Sequence, residues 1–67
     1  MSVVELWNAC VDWFPATTIV INSNGGDHLN TFKSIEDCLK YCANNVVSAF
    51  SVDRLGDTIT IEIEVQL

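Results

Sequence analysis

The chain has 67 residues, 49% of them hydrophobic, and nine acids against three lysines and arginines give it a net charge of −6 at pH 7. This charge disfavours nucleic acid and anionic membranes as direct partners and favours a protein partner with a basic surface. The apolar content excludes disorder and predicts a single compact domain over residues 1–67.

The first predicted element is a helix. Ser2 and Glu5 have the spacing of a capping box, and apolar residues then recur at helical intervals as far as Phe14. Pro15 disfavours helical geometry at the residue before it. We therefore predict a helix over residues 3–13.

A strand, a loop and a second helix are predicted next. Residues 17–22 have the sequence TTIVIN, which is β-branched at its first five positions and is typical of a strand. The glycine-containing stretch 22–30 predicts a loop. The second helix begins at Ser34, because apolar side chains from Ile35 to Val46 then recur on one helical face.

The last two predicted elements are strands joined in a hairpin. Residues 46–53 are followed by the sequence RLGD, in which Gly56 can supply the left-handed residue of a hairpin loop of three to five residues. The closing strand, TITIEIEVQL over residues 58–67, alternates apolar and polar side chains throughout, so one face belongs to a core. The predicted fold is α+β in the order α-β-α-β-β, with two helices on one face of a three-stranded, mainly antiparallel sheet.

The polar face of the closing strand carries two carboxylates and no cation. Glu62 and Glu64 project from this face about 6.6–6.8 Å apart, given the rise of a strand. Four further acids flank the hairpin turn or begin the second helix: Asp53, Asp57, Glu36 and Asp37. One interpretation is a solvated face with helix-start acids stabilised by the helix dipole. The alternative is a partner-binding row of carboxylates that imitates backbone phosphates.

The cysteines predict core thiols rather than a metal site. Cys10, Cys38 and Cys42 cannot all pair within one chain, which agrees with a reducing compartment and predicts a cytoplasmic protein. Cys10 and His28 can complete a four-ligand zinc set with the other two. However, Cys38 and Cys42 lie in the apolar stripe of the second helix, where cysteine serves as a small hydrophobe. We therefore predict no metal and no cofactor.

Neither catalysis nor a membrane span is predicted. A cysteine paired with His28 lacks an orienting group, and so small a domain offers little room for a substrate cleft. The chain also lacks the run of about 18 apolar residues that a membrane span needs. We therefore expect a protein that is not an enzyme.

Residues 34–50, with the sequence SIEDCLKYCANNVVSAF, resemble the core of PAN/apple modules, which are disulfide-bonded extracellular binding domains. The shared features are a helix with two cysteines and a strand that reaches Phe50, although Val47 stands where that family has a strand cysteine. The resemblance implies an extracellular binding module. A count of free thiols distinguishes this alternative from the cytoplasmic one.

Small size, strong acidity, one domain and no catalytic set resemble phage-encoded inhibitors, including anti-CRISPR proteins, several of which imitate nucleic acid electrostatically. The resemblance is one of kind and rests on no motif. It implies an inhibitor in the host cytoplasm that blocks a basic nucleic-acid-binding surface of a host complex. A third alternative is a structural subunit that forms a homodimer through an unpaired edge of the terminal strand.

Overall fold

The computed structural model describes residues 1–9 and 18–66. The elements in these ranges are α1 (Val3–Ala9), β1 (Thr18–Ser23), β2 (His28–Phe32), α2 (Ile35–Cys42), β3 (Val47–Leu55) and β4 (Thr58–Val65). The strands form one mixed sheet in the order β2-β1-β4-β3. The pairs β1–β2 and β3–β4 are antiparallel, whereas β1 and β4 run parallel in the middle of the sheet.

This architecture corrects the predicted fold. The class is α+β, but the three-stranded, mainly antiparallel sheet and the order α-β-α-β-β are wrong, because a fourth strand, β2, lies between β1 and α2. Most of β2 falls in the stretch predicted to be a loop. Its sequence, HLNTF, contains a single β-branched residue, so it carries little intrinsic strand preference. Pairing with β1 imposes its extended conformation.

The predicted capping box forms at the start of α1. The backbone N–H of Ser2 donates to Glu5 Oε1 at 3.0 Å, and the backbone N–H of Glu5 donates to Ser2 Oγ at 3.3 Å. Hydrogen bonds to its carboxylate from the backbone N–H and the side chain of Ser2 lower the pKa of Glu5, because they favour its ionised form. Residues 10–13, which complete the predicted helix, lie outside the described residues.

The start of α2 is also capped as its sequence predicts. Ser34 adopts an extended conformation, and its Oγ accepts a hydrogen bond from the backbone N–H of Asp37 at 3.2 Å. At the other end, the backbone N–H of Ala43 donates to the Leu39 carbonyl at 3.0 Å. These contacts satisfy backbone groups that a helix terminus otherwise leaves unpaired.

The core lies between the helices and one face of the sheet. Its centre is the parallel pairing of β1 with β4, in which Ile19 lies beside Ile61 and Ile21 beside Ile63. Buried side chains of the two helices complete the same cluster: Val3, Leu6, Cys38 and Cys42. The isoleucines in this cluster occupy alternate positions of their strands, so they all point to one face of the sheet. Both helices contact that cluster and therefore cover the same side of the sheet.

Two turns need glycine. The hairpin between β3 and β4 has two turn residues, since Leu55 pairs with Thr58, and Gly56 between them has φ +61°. Between β1 and β2, Gly26 has φ +93°. The buried Ser23 stabilises this second turn, because its Oγ accepts from the backbone N–H groups of Gly25 and Asp27.

The terminal strand is central in the sheet. β4 pairs with β1 on one side and with β3 on the other, so the unpaired edge on which the homodimer alternative depended is not available there. The edge strands are β2 and β3. Self-association therefore stays a prediction, but through another strand.

We predict that the parallel pairing of β1 with β4 dominates stability. Ile61→Ala should lower the free energy of unfolding by about 2–5 kcal/mol, because it leaves a cavity at a residue with no exposed surface. Urea titration measures this loss. Thr58→Ala, on the exposed face of the same strand, is the control and should cost less than about 1 kcal/mol. Equal losses in the two variants would contradict the assigned core face.

Candidate functional site

The sheet face that points away from the helices is the candidate site, and we call it the open face. On β4 it carries the four side chains that alternate with the buried ones: Thr58, Thr60, Glu62 and Glu64. Their register partners on β1 and β3 share this face: Thr18, Val20, Asn22, Ala49, Ser51, Asp53 and Leu55. The face is therefore polar at most positions, with its acids on β3 and β4.

Three predicted site acids lie together on the open face. Glu62 lies opposite Ser51 of β3, and Asp53 of β3 lies opposite Thr60 of β4. Glu64 is two residues along β4 from Glu62 and shares its face. The hairpin register thus joins Asp53 to the pair of glutamates.

Asn22 of β1 holds Glu62 in place. Its Nδ2 donates to Glu62 Oε1 at 3.3 Å, a bond between residues 40 positions apart in the chain. In the parallel register Asn22 lies beside Glu64 and Val20 lies beside Glu62. The glutamates therefore project from a central strand of the sheet, which is hydrogen-bonded to another strand on each side.

A shallow depression of about 250 Å³ lies beside these glutamates. Its lining comes from three strands and the turn after β1: Asn22, Gly26, Ala49, Phe50, Ser51, Glu62 and Glu64. It combines two carboxylates with an amide and a hydroxyl. These groups are hydrogen-bond acceptors suited to a guanidinium or ammonium group.

The basic residues of this face lie at its other end, beside β2. Lys33 Nζ donates to Thr18 Oγ1 at 3.1 Å. His28 Nε2 forms a hydrogen bond with Thr31 Oγ1 at 2.8 Å, and His28 pairs with Asn22 in the sheet. The open face therefore carries a lysine and a histidine towards β2 and carboxylates on β3 and β4.

The structure separates the other predicted site acids from this group. Glu36 and Asp37 lie in the first turn of α2, in the helical layer on the opposite side of the sheet. Asp57 lies in the turn at the end of the β3–β4 hairpin. One flat partner surface can contact the open face or α2, but not both. Sequence reasoning did not include Asn22 and Ser51, whose side chains line the depression.

The two described cysteines are part of the core. Cys38 and Cys42 are free and buried, with their Sγ atoms 3.9 Å apart. Burial, and to a smaller extent the neighbouring Cys42 thiol, raise the pKa of Cys38 to about 12 from an ordinary 9.0. Burial also raises the pKa of Cys42. Both thiols are therefore neutral at physiological pH and poor nucleophiles.

The remaining candidate for a Cys–His site, His28, lies elsewhere. It is exposed on the open face, whereas Cys38 and Cys42 belong to α2 and are buried on the other side of the sheet. Among residues 1–9 and 18–66, no three histidine, cysteine, aspartate or glutamate side chains are grouped to hold a metal ion. Cys10 lies outside these ranges.

Two further points concern the disulfides of an extracellular module and a helix that spans a membrane. The PAN/apple resemblance implies disulfides from the helix cysteines, but Cys38 and Cys42 are both free thiols. Within the described part of the chain, no helix has the length and apolar content to cross a membrane.

The raised pKa of Cys38 predicts a loss of stability in alkali. The unfolded thiol ionises from about pH 9, whereas the folded one keeps its proton until about pH 12. The free energy of unfolding should therefore fall as pH rises through this window. Urea titrations at about pH 8 and about pH 10.5 measure the slope. In Cys38→Ala this component of the slope should disappear, and an unchanged slope would contradict a buried neutral thiol.

Comparisons with known proteins give no independent indication of function. No family model matches the chain, and no curated protein or solved structure matches it.

Proposed function

We propose that the chain is a non-enzymatic inhibitor that blocks a basic nucleic-acid-binding surface of a host complex. It acts in the host cytoplasm and imitates nucleic acid, as several anti-CRISPR proteins of phages do. One observation carries this proposal: Glu62, Glu64 and Asp53 share the open face of the sheet, on two neighbouring strands.

The first supporting argument is electrostatic. Glu62 and Glu64 lie about 6.6–6.8 Å apart on one strand face, a separation at which like charges repel. Their register neighbours on β1 and β3 are uncharged: Val20, Asn22, Ala49 and Ser51. A partner surface rich in lysine and arginine replaces this repulsion with attraction. The net charge of −6 also speeds the encounter with such a surface.

The second argument is preorganisation. Glu62 and Glu64 project from β4, which is hydrogen-bonded to a strand on each side, and Asn22 binds Glu62 directly. Little backbone entropy remains to be lost when a partner binds to side chains on such a strand. A rigid row of charges also reproduces a fixed spacing, as the backbone of nucleic acid does.

The third argument is the depression beside the glutamates. Its volume of about 250 Å³ and its carboxylate, amide and hydroxyl lining suit one arginine or lysine side chain of the partner. Arginine fits best, because its planar fork can bond to more than one of these acceptors at once. The partner surface therefore presents an arginine to this depression.

The test uses two variants that remove the same charge from opposite sides of the molecule. Glu62→Gln with Glu64→Gln removes two charges from the open face, and Glu36→Gln with Asp37→Asn removes two from α2. The second variant loses favourable helix-dipole interactions of about 0.3–1 kcal/mol each and should remain folded. Thermal melts of both variants check this.

The measurement is capture of proteins from a bacterial lysate on the immobilised chain. We expect a nucleic-acid-binding protein that duplex DNA displaces and that is released as salt rises. The open-face variant should lose at least about tenfold in affinity for it, because two attractions are removed. The α2 variant should bind as the unaltered chain does. Equal affinity of both variants, or capture that DNA does not displace, would contradict the proposal.

A further inference from the structure

The most exposed element of the described sheet is its edge strand β3. Its neighbour within the sheet is β4, and eight of its nine residues are exposed. At the start of its outer edge, the Val47 N–H donates to the Met1 carbonyl at 2.8 Å. Phe50 is 49% exposed, Val52 44% and Leu55 83%, although all three are apolar. A long edge strand with apolar side chains is a template for pairing with another strand.

We propose that this edge pairs with β3 of a second copy of the chain. The two strands run antiparallel about a two-fold axis that passes through Val52. The two sheets then join into one, and both helical layers lie on the same side of it. This proposal is independent of the inhibitor function, since it needs no partner other than a second copy.

The first reason for this register is the length of regular strand. The pairing of β3 with β4 is irregular between Val47 and Ala49, where Ser48 is an extra residue, and the hairpin turn follows Leu55. The regular stretch is therefore 49–55, and Val52 is its middle residue. A bulge limits pairing at an edge, so an axis elsewhere leaves part of this stretch without a regular partner.

The second reason is that every cross-strand pair in this register is compatible. Val52 lies opposite the partner's Val52, and Phe50 lies opposite the partner's Arg54, an aromatic ring against a guanidinium group. These side chains lie on the helical side of the sheet, as their pairing with buried isoleucines of β4 shows. The pairs form twice, once on each side of the axis.

The open-face pairs are also compatible. Ser51 lies opposite the partner's Asp53, where a hydroxyl can donate to a carboxylate. Ala49 lies opposite the partner's Leu55. An apolar-sided depression of about 310 Å³, lined by Met1, Val47, Ser48, Ala49 and Phe50, adjoins this position. Pairing therefore brings Leu55, the most exposed apolar side chain of the described edge, next to Ala49, which is one of the residues that line this depression.

Neighbouring registers are less favourable. An axis through Asp53 places two carboxylates directly opposite each other, and one through Arg54 does the same with two guanidinium groups. An axis through Phe50 or Ser51 extends the pairing into the irregularity at Ser48. The charges and the bulge thus select the register through Val52 by excluding the others.

The first experiment measures mass against concentration by sedimentation equilibrium. The chain should reach twice its 7.4 kDa mass as its concentration rises. Val52→Lys places two ammonium groups opposite each other and should raise the dimer dissociation constant at least about tenfold. Thr31→Lys, with the same charge change on the other edge strand, should not change it. The proposal would be overturned by a chain that is monomeric at all concentrations, or by a dimer that both variants retain equally.

The second experiment determines the register by cysteine cross-linking. Val52→Cys should form a disulfide-linked dimer under mild oxidation, because directly opposite residues have Cβ atoms about 4.5–5.5 Å apart. Ser51→Cys and Asp53→Cys place each new thiol opposite the other position and should cross-link less. Replacing Cys10 with Ser in all three proteins removes one native thiol. Strongest cross-linking at residue 51 or 53 would overturn the register.

Discussion

The parallel pairing of β1 with β4 is the contact on which the rest of the structure depends. It places Ile19 beside Ile61 and Ile21 beside Ile63, and these four side chains are almost completely buried. In a chain of this size few other apolar surfaces are available to stabilise the fold. The helices pack on this surface, so it decides which sheet face is buried and which remains open.

The candidate site follows from the same pairing. Once the isoleucines of β4 face the helices, Glu62 and Glu64 must face the other way, because side chains alternate along a strand. The parallel register also brings Asn22 within hydrogen-bond distance of Glu62. The geometry of the acids is thus a consequence of core packing. The proposed partner recognises their negative charge, and this charge contributes nothing to the core.

The proposed dimer leaves Glu62 and Glu64 available to the target of the proposed inhibitor, although it engages Ser51 and Asp53 on the same face. Pairing through β3 leaves both open faces on the same side of a continuous sheet. The glutamates lie on β4, one strand inside the joined edge, and so remain exposed to a partner. Two copies then present two acidic rows side by side. Such an arrangement suits an extended basic groove better than one copy does, because the second row binds at high effective concentration.

Much of the local structure is determined by the sequence itself. The capping boxes at Ser2 and Ser34 and the alternation of β4 are signals carried by residues a few positions apart. The shared face of Glu62 and Glu64 follows from the same short-range alternation. The hairpin that brings Asp53 beside them was also predicted, but with a loop of three to five residues, whereas β3 continues to Leu55 and the turn has two residues. These parts could be predicted because neighbouring residues alone specify them.

Only the tertiary structure decided the rest. The residues of β2 have little strand preference of their own, and they become a strand by pairing with β1. The central position of β4 depends on contact with β1, whose residues are about forty positions away, and no local pattern encodes that parallel pairing. The same packing moves Glu36 and Asp37 to the layer opposite the glutamates. Which acids form one surface is therefore decided by long-range burial, because burial, and not spacing along the chain, determines which side of the sheet the helices cover.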